Sequence, residues 1–302
     1  MKPYCLIVNP NAGRGKSNAM AGRIEQQLQK REICWKRWDT TQAGDAEEMA
    51  RALQPEEYSR IVVVGGDGTL NEVVRGLTRP APPIAVFPAG TGNDVARMLG
   101  ISSEEHALTT AIHGVARKID LGLVSGEVFI NIFSFGFDAA VATQANEWKN
   151  RLPGWLLYPA ALVKMVFYFQ CPQVTLRITG EEGVKEIGPE KVLLLAVCNG
   201  SHYGGGMNIN PLANPFDGKM ELCIVRAMPW WKILALFPTV YKGTHLQFRE
   251  VSLEKVTAVS FQSDRVMLMN RDGETWPEKQ GAISLIPEGL TVMCPEDITT
   301  PA

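Results

Sequence analysis

The chain has 302 residues and a nearly balanced charge, with 30 Lys and Arg against 32 Asp and Glu and a formal net charge of −2. This balance leaves no overall basic field and argues against nucleic acid as a partner. The length is sufficient for a sizeable core, and two domains are expected rather than one. Six cysteines without C-x-x-C pairs favour free thiols in a reducing compartment over structural zinc.

The sequence shows no targeting or membrane-spanning signal. The N-terminal residues MKPYCLIVNP lack the basic region followed by a long apolar region that marks a signal peptide. No window reaches about 18 uninterrupted apolar residues, the length that a spanning helix needs. We therefore expect a cytoplasmic protein, which would visit a membrane surface peripherally if its substrate were a lipid.

The N-terminal part alternates between predicted strands and helices. Strands are predicted at Tyr4–Val8 and Ile33–Trp38, each followed by a helix, the second of which runs from about Asp45 to Leu53. The loop Asn9–Lys16 (NPNAGRGK) is similar to a phosphate loop, although it lacks the Walker A spacing. A simple β–α loop with basic residues is the alternative interpretation.

The segment Ile61–Leu77 (IVVVGGDGTLNEVVRGL) is the most informative one. Its β-branched run predicts a buried parallel strand, and the following glycines let the backbone turn sharply beside a ligand. Thr69 and Glu72 have the spacing of a capping box at a helix start. Such a helix N-terminus suits a phosphate. Asp67 fits there if a cation lies between its carboxylate and the phosphate, or if it bonds a water or a ribose hydroxyl. A tight turn in an ordinary sheet protein is the alternative.

A second unit of the same kind follows. Ile84–Phe87 is a predicted strand, and Pro88–Asp94 (PAGTGND) turns into another helix, in which Thr91 and Asp94 repeat the cap spacing. Two such units side by side make a cleft at the carboxyl ends of a parallel sheet. The βαβ alternation predicts a doubly wound α/β domain.

The pattern changes to strands and turns beyond Lys118, which indicates an antiparallel β-sandwich. Asp138 lies at a predicted helix start and is interpreted as an N-cap in preference to a site carboxylate. The predicted strands of the last part are Val174–Thr179, Lys191–Cys198, Met220–Val225, Val256–Ser260, Val266–Met269 and Ile283–Ile286.

Two apolar segments interrupt the strands. Trp155–Phe169 is the most apolar stretch and is interpreted as a core helix, or else as part of a lipid pocket or membrane-facing surface. Pro229–Phe237 starts a helix with paired tryptophans. We expect one of Trp230 and Trp231 to pack in the core; an exposed one would serve as an anchor at a membrane interface.

Five motifs, in order, resemble those of the diacylglycerol kinase catalytic-domain family, which comprises soluble bacterial lipid kinases with sphingosine and ceramide kinases as relatives. GGDGTLNEVVRGL is similar to the family's nucleotide loop, and the resemblance runs over nearly the whole chain. One residue departs from the pattern, because Arg75 stands where a small polar residue, commonly Asn, is expected; we expect its side chain to face solvent. The other four motifs are Asn9–Gly13, Pro88–Asp94, Pro211–Gly218 and Asp272–Glu274.

The resemblance implies an architecture and a nucleotide site. It implies an N-terminal doubly wound parallel-sheet nucleotide-binding domain (residues 1–122 with 286–302) and a C-terminal antiparallel β-sandwich domain for the lipid (residues 123–285). The residues that it places at the nucleotide are Asn9, Pro10, Asn11, Ala12, Gly13, Thr40, Gly66, Asp67, Gly68, Thr69, Leu70, Asn71, Glu72 and Thr91.

The resemblance also implies metal and catalytic residues. Asp67 would help to place a catalytic Mg²⁺ through water. A structural Mg²⁺ would be held by the Asp217 side chain and the carbonyl groups of Asn214 and Lys219. Glu274 would take the proton from a lipid hydroxyl with Asp272 as its partner, although the spacing alone does not rank the two as the base. The two carboxylates flank a glycine and are expected to converge on the cleft. Without the resemblance, the Asp217 segment would be interpreted as a hairpin turn, and a polar hairpin tip is the alternative interpretation of Asp272–Glu274.

The leading hypothesis is an ATP-dependent lipid kinase that transfers the γ-phosphoryl group to a lipid hydroxyl, with diacylglycerol as the first substrate. Phosphatidylglycerol, a sphingoid base or a polyprenol fits the sequence equally well. NAD kinase is the enzymatic alternative, and a non-catalytic nucleotide- or lipid-binding regulator is the third. The expected partners are ATP with Mg²⁺ and a lipid at a membrane surface; a homodimer is left open.

Overall fold

The structure is a computed structural model that describes residues 2–78, 80–148 and 151–296, with only the backbone described for residues 146, 154 and 155. Its helices are α1 (Lys16–Lys30), α2 (Asp45–Ala52), α3 (Asp67–Gly76), α4 (Asp94–Met98), α5 (Glu104–His113), α6 (Phe137–Glu147), α7 (Gly154–Tyr168) and α8 (Trp230–Tyr241). Its strands are β1 (Tyr4–Val8), β2 (Trp35–Asp39), β3 (Arg60–Gly65), β4 (Ile84–Pro88), β5 (Val115–Val124), β6 (Glu127–Phe129), β7 (Ile132–Gly136), β8 (Gln173–Gly180), β9 (Gly183–Cys198), β10 (His202–Tyr203), β11 (Met207–Asn208), β12 (Met220–Arg226), β13 (Val251–Val256), β14 (Ala258–Arg271) and β15 (Glu274–Cys294).

The N-terminal part is built on parallel strands in the order β4-β3-β1-β2. All of β1 and nearly all of β3 are buried, as expected for strands with helices on both faces. Because β1 lies between β2 and β3, right-handed crossovers place α1 on one face and α2 and α3 on the other. The connections after β1 and β3 therefore leave the sheet in opposite directions, which opens a crevice at the carboxyl ends of these strands.

The contact between α2 and α3 depends on a glycine. A Cβ atom on Gly76 would overlap the carbonyl oxygen of Glu47 and lie 2.9 Å from the Cβ of Ala50. Only a residue without a side chain lets α3 approach the backbone of α2 this closely. The same approach brings Arg75 of α3 beside Glu47, with 3.2 Å between Nε and Oε2.

The C-terminal strands are antiparallel and form a closed circuit of hydrogen bonds. β9 pairs first with β8 and then with β7, and β14 does the same. The circuit therefore runs from β7 through β9, β8 and β14 back to β7. Aromatic side chains fill it; the ring centroids of Phe135 and Phe261 are 4.6 Å apart. The predicted fold class is confirmed to the extent that a mixed α/β part is followed by a β-rich part. Most of the strands predicted at 256–260 and 266–269 belong to the single strand β14.

Helices α6, α7 and α8 cover one side of this circuit and form a further core cluster with β7, β9 and β12. Trp230 and Trp231 are 51% and 54% exposed, so the prediction that one of them packs in the core is wrong. The buried stripe of α8 begins only at Ile233, beyond both tryptophans. Among the described residues, no helix combines the length and apolar character that crossing a bilayer requires.

Strand β15 joins the two parts of the molecule. It pairs with β14 along its first half and with β5 and β4 along its second. The strand bends at Glu288, whose φ is 51°. There the Glu288 backbone amide donates to the buried Asp120 carboxylate at 2.8 Å, and the Gly218 amide donates to the same carboxylate at 2.7 Å. Asp120 therefore fixes the point where the chain passes from one part to the other.

The division into residues 1–122 with 286–302 and residues 123–285 stays a prediction. Ile283 belongs to the core of the strand circuit, whereas Val292 belongs to the core around the parallel sheet. Residues 297–302 lie outside the described residues.

The capping box predicted for α3 is wrong. The helix begins at Asp67, so Thr69 and Glu72 lie inside it. The Thr69 hydroxyl instead accepts a hydrogen bond from Asn9 Nδ2 at 3.1 Å. The extended glycine turn lets the helix begin two residues before the threonine, and this frees the hydroxyl for a contact between loops.

The other two predicted caps are also wrong. α4 begins at Asp94 after Asn93, which has a φ of 52°, and Thr91 is exposed in the preceding loop. α6 begins at Phe137, so Asp138 lies within its first turn. The Asp138 carboxylate accepts a hydrogen bond from Ser134 Oγ at 2.6 Å.

We expect Gly76→Ala to destabilise the protein, because the added methyl group must displace the Glu47 carbonyl. Overpacking of this kind costs about 1–3 kcal/mol. Gly22→Ala in α1 is the matched control, since a Cβ there meets nothing within 4 Å; it should be neutral or stabilise by up to about 1 kcal/mol. Urea unfolding measures both, and equal midpoints for the two variants would contradict the close α2–α3 packing.

Candidate active site

Three loops meet at the carboxyl ends of β1, β3 and β4 through glycine contacts. A Cβ on Gly66 would lie 3.3 Å from the Cα of Gly90, and a Cβ on Gly90 would lie 2.8 Å from the Cα of Gly66. Gly13, with a φ of 59°, lies against the carbonyl group of Ala89 in the same way. Side chains at these positions would push the loops apart.

The three loops and the loop after β2 enclose a groove of about 460 Å³. Asn9 fixes one wall: its Nδ2 donates to Thr69 Oγ1, and its Oδ1 accepts from the Asn11 amide at 3.1 Å. The residues that line the groove are Asn9, Asn11, Ala12, Gly13, Thr40, Thr41, Gln42, Ala43, Gly66, Gly68, Thr69, Glu72, Gly90 and Thr91.

The N-terminus of α3 opens into this groove. Gly68 and Thr69, in the first turn of the helix, line it. No described side chain caps the helix, so its first amides are available to a ligand. These amides and the positive end of the helix dipole suit a phosphate group.

A second cavity, of about 400 Å³, lies between helices α6, α7 and α8 and the strand circuit. Its walls are largely apolar, whereas acidic and amide side chains gather where it meets α3. The apolar wall includes Phe137, Val141, Leu162, Leu193, Met207, Ile209, Val225, Ile233, Leu236, Phe237 and Val240. The polar residues from the other side include Asp67, Asn71, Asp94, Asn131 and Asp272.

The first turns of α3 separate the groove from the cavity. Asp67 and Asn71, four residues apart and therefore on one side of the helix, line the cavity. Gly68, Thr69 and Glu72 lie on the other side and line the groove. A phosphate held at the helix N-terminus in the groove would thus lie next to the polar end of the cavity.

Two carboxylates face each other across Gly92. A Cβ on Gly92 would lie 2.9 Å from Asp67 Oδ2 and 3.5 Å from Asp94 Oδ2, so the glycine keeps this space open. The Asp67 carboxylate accepts hydrogen bonds from the amides of Asp94 and Val95, both at 3.2 Å. Burial raises the pKa of Asp67 despite these bonds, and the nearby Asp94 charge adds to the rise. Asp94 also pairs with Arg97 at 2.6 Å.

Asp272 occupies the tip of the β14–β15 hairpin and points inward. Asp272 and Gly273 have φ values of 46° and 97°, the signature of a two-residue type I′ turn. The Asp272 carboxylate accepts hydrogen bonds from the amides of Ile130, Asn131 and Ile132 at 2.7–3.3 Å. Burial raises the pKa of Asp272 to about 6, although these amides oppose the rise.

Glu274 points away from the cavity, which contradicts the expectation that the two carboxylates converge. Its oxygens pair with Arg75 at 2.5 Å and with Arg271 at 2.6 Å. Burial alone would raise the pKa of Glu274, but these two guanidinium groups outweigh it and lower the pKa. Arg75 does not face solvent as predicted: its side chain is 15% exposed and lies between Glu47 and Glu274.

The turn predicted to bind a structural Mg²⁺ has protein partners of its own. Asp217 accepts from the Lys219 amide at 3.1 Å and pairs with Lys255 at 3.0 Å. The Asn214 carbonyl group accepts from the Asp217 amide at 3.4 Å. A metal ion held by Asp217 would have to displace Lys255, and this site stays a prediction.

The cavity contains polar groups deep among its apolar walls. Asp138 lies there half-buried against Ser134, and desolvation raises the pKa of its carboxyl group. His245 is fully buried; its Nε2 bonds the Ile209 carbonyl oxygen at 3.0 Å, and burial lowers its pKa. Among the described residues, His245 Nδ1 has no hydrogen-bond partner. The neutral imidazole therefore leaves one buried acceptor atom without a partner among the described residues.

The predicted nucleotide residues divide among several places. Most line the groove, but Asp67 and Asn71 face the cavity, Leu70 is buried in the core, and Pro10 is outside the groove lining. The sequence interpretation missed Thr41, Gln42 and Ala43, although they follow β2 at the same edge of the sheet as the other loops. It also treated Asp94 only as a helix cap, although the motif Pro88–Asp94 lies beside the loop that contains Gly66 and Asp67.

Comparisons with known proteins match both parts of the chain. Residues 3–124 match the model of the diacylglycerol kinase catalytic domain, and residues 131–294 match the YegS C-terminal NAD kinase beta sandwich-like domain. A diacylglycerol kinase of Bacillus subtilis strain 168 is 30% identical over 278 residues, which cover 91% of this chain and 90% of the relative. A diacylglycerol kinase of Staphylococcus carnosus strain TM300 is 28% identical, with 97% and 95% covered.

The fold has a solved counterpart as well. The crystal structure of a diacylglycerol kinase from Bacillus anthracis strain Sterne matches with a TM-score of 0.75 over 99% of this chain and 98% of that chain, at 20% identity. The resemblance predicted from the five motifs is confirmed by the two domain models and by the curated relatives. The chain belongs to the diacylglycerol kinase catalytic-domain family and is a lipid kinase of the diacylglycerol kinase type.

Proposed function

We propose that this lipid kinase transfers the γ-phosphoryl group of ATP to the hydroxyl group of a lipid whose chains occupy the apolar cavity. The observation that supports this proposal is the position of α3, whose first turns line the groove on one side and the cavity on the other. A nucleotide phosphate at the helix N-terminus and a lipid hydroxyl at the polar end of the cavity would meet across this single turn. Such alignment is the main requirement of phosphoryl transfer.

Mg²⁺ fits the residues at this meeting point. Asp67 and Asp94 present two hard oxygen ligands around the space that Gly92 leaves open. When bound, the ion would offset the charge of the triphosphate. Asp67 and Asp94 would hold it, and the backbone amides at Asp94 and Val95 orient the Asp67 carboxylate for this role.

The structure favours Asp272 over Glu274 as the carboxylate that receives the lipid hydroxyl proton. Asp272 lines the cavity beside Asp67, and a pKa of about 6 leaves it mostly ionised at neutral pH while keeping it a better base than an ordinary aspartate. Glu274 would have to leave both Arg75 and Arg271 before it could reach the cavity. The three amides at Ile130–Ile132 hold the Asp272 carboxylate at the polar end of the cavity.

Diacylglycerol remains the leading substrate. A cavity of about 400 Å³ with apolar walls is within the size range of small-molecule sites and suits hydrocarbon better than a second nucleotide. NAD kinase is therefore the weaker alternative, since the adenosine and nicotinamide ribosides of NAD would bring many hydrogen-bonding groups into an apolar site. A regulator without activity would not need the carboxylates of Asp67, Asp94 and Asp272 at the junction of groove and cavity. The lipid substrate implies peripheral contact with a membrane.

Labelled γ-phosphate transfer from ATP tests this proposal. The protein is incubated with Mg²⁺ and mixed micelles that contain diacylglycerol or another lipid alcohol, with NAD as the control acceptor. We expect label on lipid, with diacylglycerol the best acceptor. Label on NAD alone would identify the protein as a NAD kinase. ATP binding without label on any acceptor would support the hypothesis of a non-catalytic regulator.

Two matched substitutions test the assignment of the base. Asp272→Asn should lower kcat by about 10²–10⁴ while ATP binding is retained, because a general base is lost. Glu274→Gln should change kcat little. The parent enzyme should lose kcat/KM as the pH falls through about 6, where Asp272 becomes protonated, and Glu274→Gln should keep this acidic limb.

The opposite pattern would overturn the assignment. If Glu274→Gln abolishes turnover and Asp272→Asn does not, then Glu274 is the base and Arg75 must release it during the reaction. Arg75→Asn would then raise the rate, whereas the present assignment expects no gain.

A further inference from the structure

Exposed apolar side chains concentrate on two neighbouring helices. Among the side chains that the structure describes, eleven large apolar ones are exposed, and seven of them belong to α7 and α8. The other four (Val115, Val184, Leu212 and Val266) are scattered along the chain. The seven, here called the aromatic surface, are Tyr158, Val163, Phe167, Tyr168, Trp230, Trp231 and Tyr241. A concentration of this kind marks an interaction surface.

The two helices contribute to one continuous surface. The rings of Phe167 on α7 and Trp230 on α8 are in contact, with centroids 5.4 Å apart. At another point of the surface, Tyr158 and Tyr241 are 57% and 48% exposed and also line the apolar cavity. The surface is thus continuous with the cavity wall, and a lipid could pass from one to the other along apolar and aromatic groups.

The charge of this region suits a lipid phase. The sequences of α7 and α8 contain no Asp or Glu and one lysine each. Lys164 donates to Gln144 at 2.6 Å and lies 5.1 Å from the centre of the Trp148 ring. Lys232 pairs with Glu250 at 2.6 Å. Lys232 is therefore ion-paired, whereas the Lys164 ammonium is held by a neutral amide and an aromatic ring.

We infer that the aromatic surface of α7 and α8 inserts into the interfacial layer of a lipid bilayer and connects the bilayer to the apolar cavity. Tryptophan and tyrosine are the residues that favour the level of the lipid headgroups. Helices of 15 and 12 residues are too short to span a bilayer, which needs about 20 residues, but they can lie in its interface. The inference rests on the proposed function, because a bilayer is chosen as the source of the substrate.

Vesicle co-sedimentation with phosphatidylcholine tests the inference directly. We expect Trp230→Ser/Trp231→Ser and Phe167→Ser/Tyr168→Ser each to lower the partition coefficient by at least about tenfold, since apolar burial drives interfacial binding. Leu212→Ser/Val266→Ser is the matched control, because these side chains are 61% and 63% exposed outside the surface. The control should bind like the parent chain, and binding should persist at high salt.

Two results would overturn the inference. The first is equal vesicle binding by the surface variants and the control. The second is a dimer, seen by analytical ultracentrifugation, that the surface substitutions dissociate without affecting vesicle binding, because a second copy of the chain would then cover the surface. Thermal melting verifies that all variants are folded.

Activity on a monomeric short-chain diacylglycerol separates this inference from the proposed function. None of Phe167, Tyr168, Trp230 and Trp231 lines the cavity, so their variants should keep the parent rate on the short-chain substrate and lose rate only on vesicles. If no lipid is phosphorylated but the surface variants still lose vesicle binding, the proposed function is wrong and the membrane role of the aromatic surface is supported. If lipid is phosphorylated and the surface variants bind vesicles like the parent chain, only the membrane role of the aromatic surface is wrong.

Discussion

The close contact between the Gly66 and Gly90 backbones is the constraint on which the site depends. It brings the loops after β3 and β4 together, and the contact of Gly13 with Ala89 adds the loop after β1. These contacts fix α3 so that its N-terminus opens into the groove while its other side closes the apolar cavity. A side chain at either of the first two glycines would separate the loops and, with them, the two binding spaces.

Local signals were sufficient to predict the strands of the parallel sheet and the loops that follow them. The β-branched run before Gly65 and the glycine turns depend on residues close in sequence, so β1, β3 and β4 lie where they were expected. The direction of individual side chains depended on contacts across the fold. Thr69 resembles a cap in sequence, but Asn9, which is 60 residues away, takes its hydroxyl.

The Asp272–Glu274 motif is a second case in which the sequence did not predict the direction of the side chains. Its spacing allowed both carboxylates to face the cleft, yet the type I′ turn sends Asp272 inward and leaves Glu274 outside. Arg75 then holds Glu274 between α3 and the hairpin, an arrangement that requires α2 and α3 to approach at Gly76. Asn71 adds a second link, because its Nδ2 donates to the Asp272 carbonyl oxygen at 3.3 Å. The residue that departs from the family pattern thus helps to join the two parts of the molecule.

The central claim is that one turn of α3 separates the nucleotide from the lipid. The most direct measurement compares the two KM values of Thr69→Val, on the groove side, with those of Asn71→Leu, on the cavity side. The account predicts that Thr69→Val raises the KM for ATP and leaves the KM for lipid unchanged. It predicts that Asn71→Leu raises the KM for lipid and leaves the KM for ATP unchanged. An increase in the KM for ATP alone in both variants would contradict it, because both sides of the helix would then face the nucleotide.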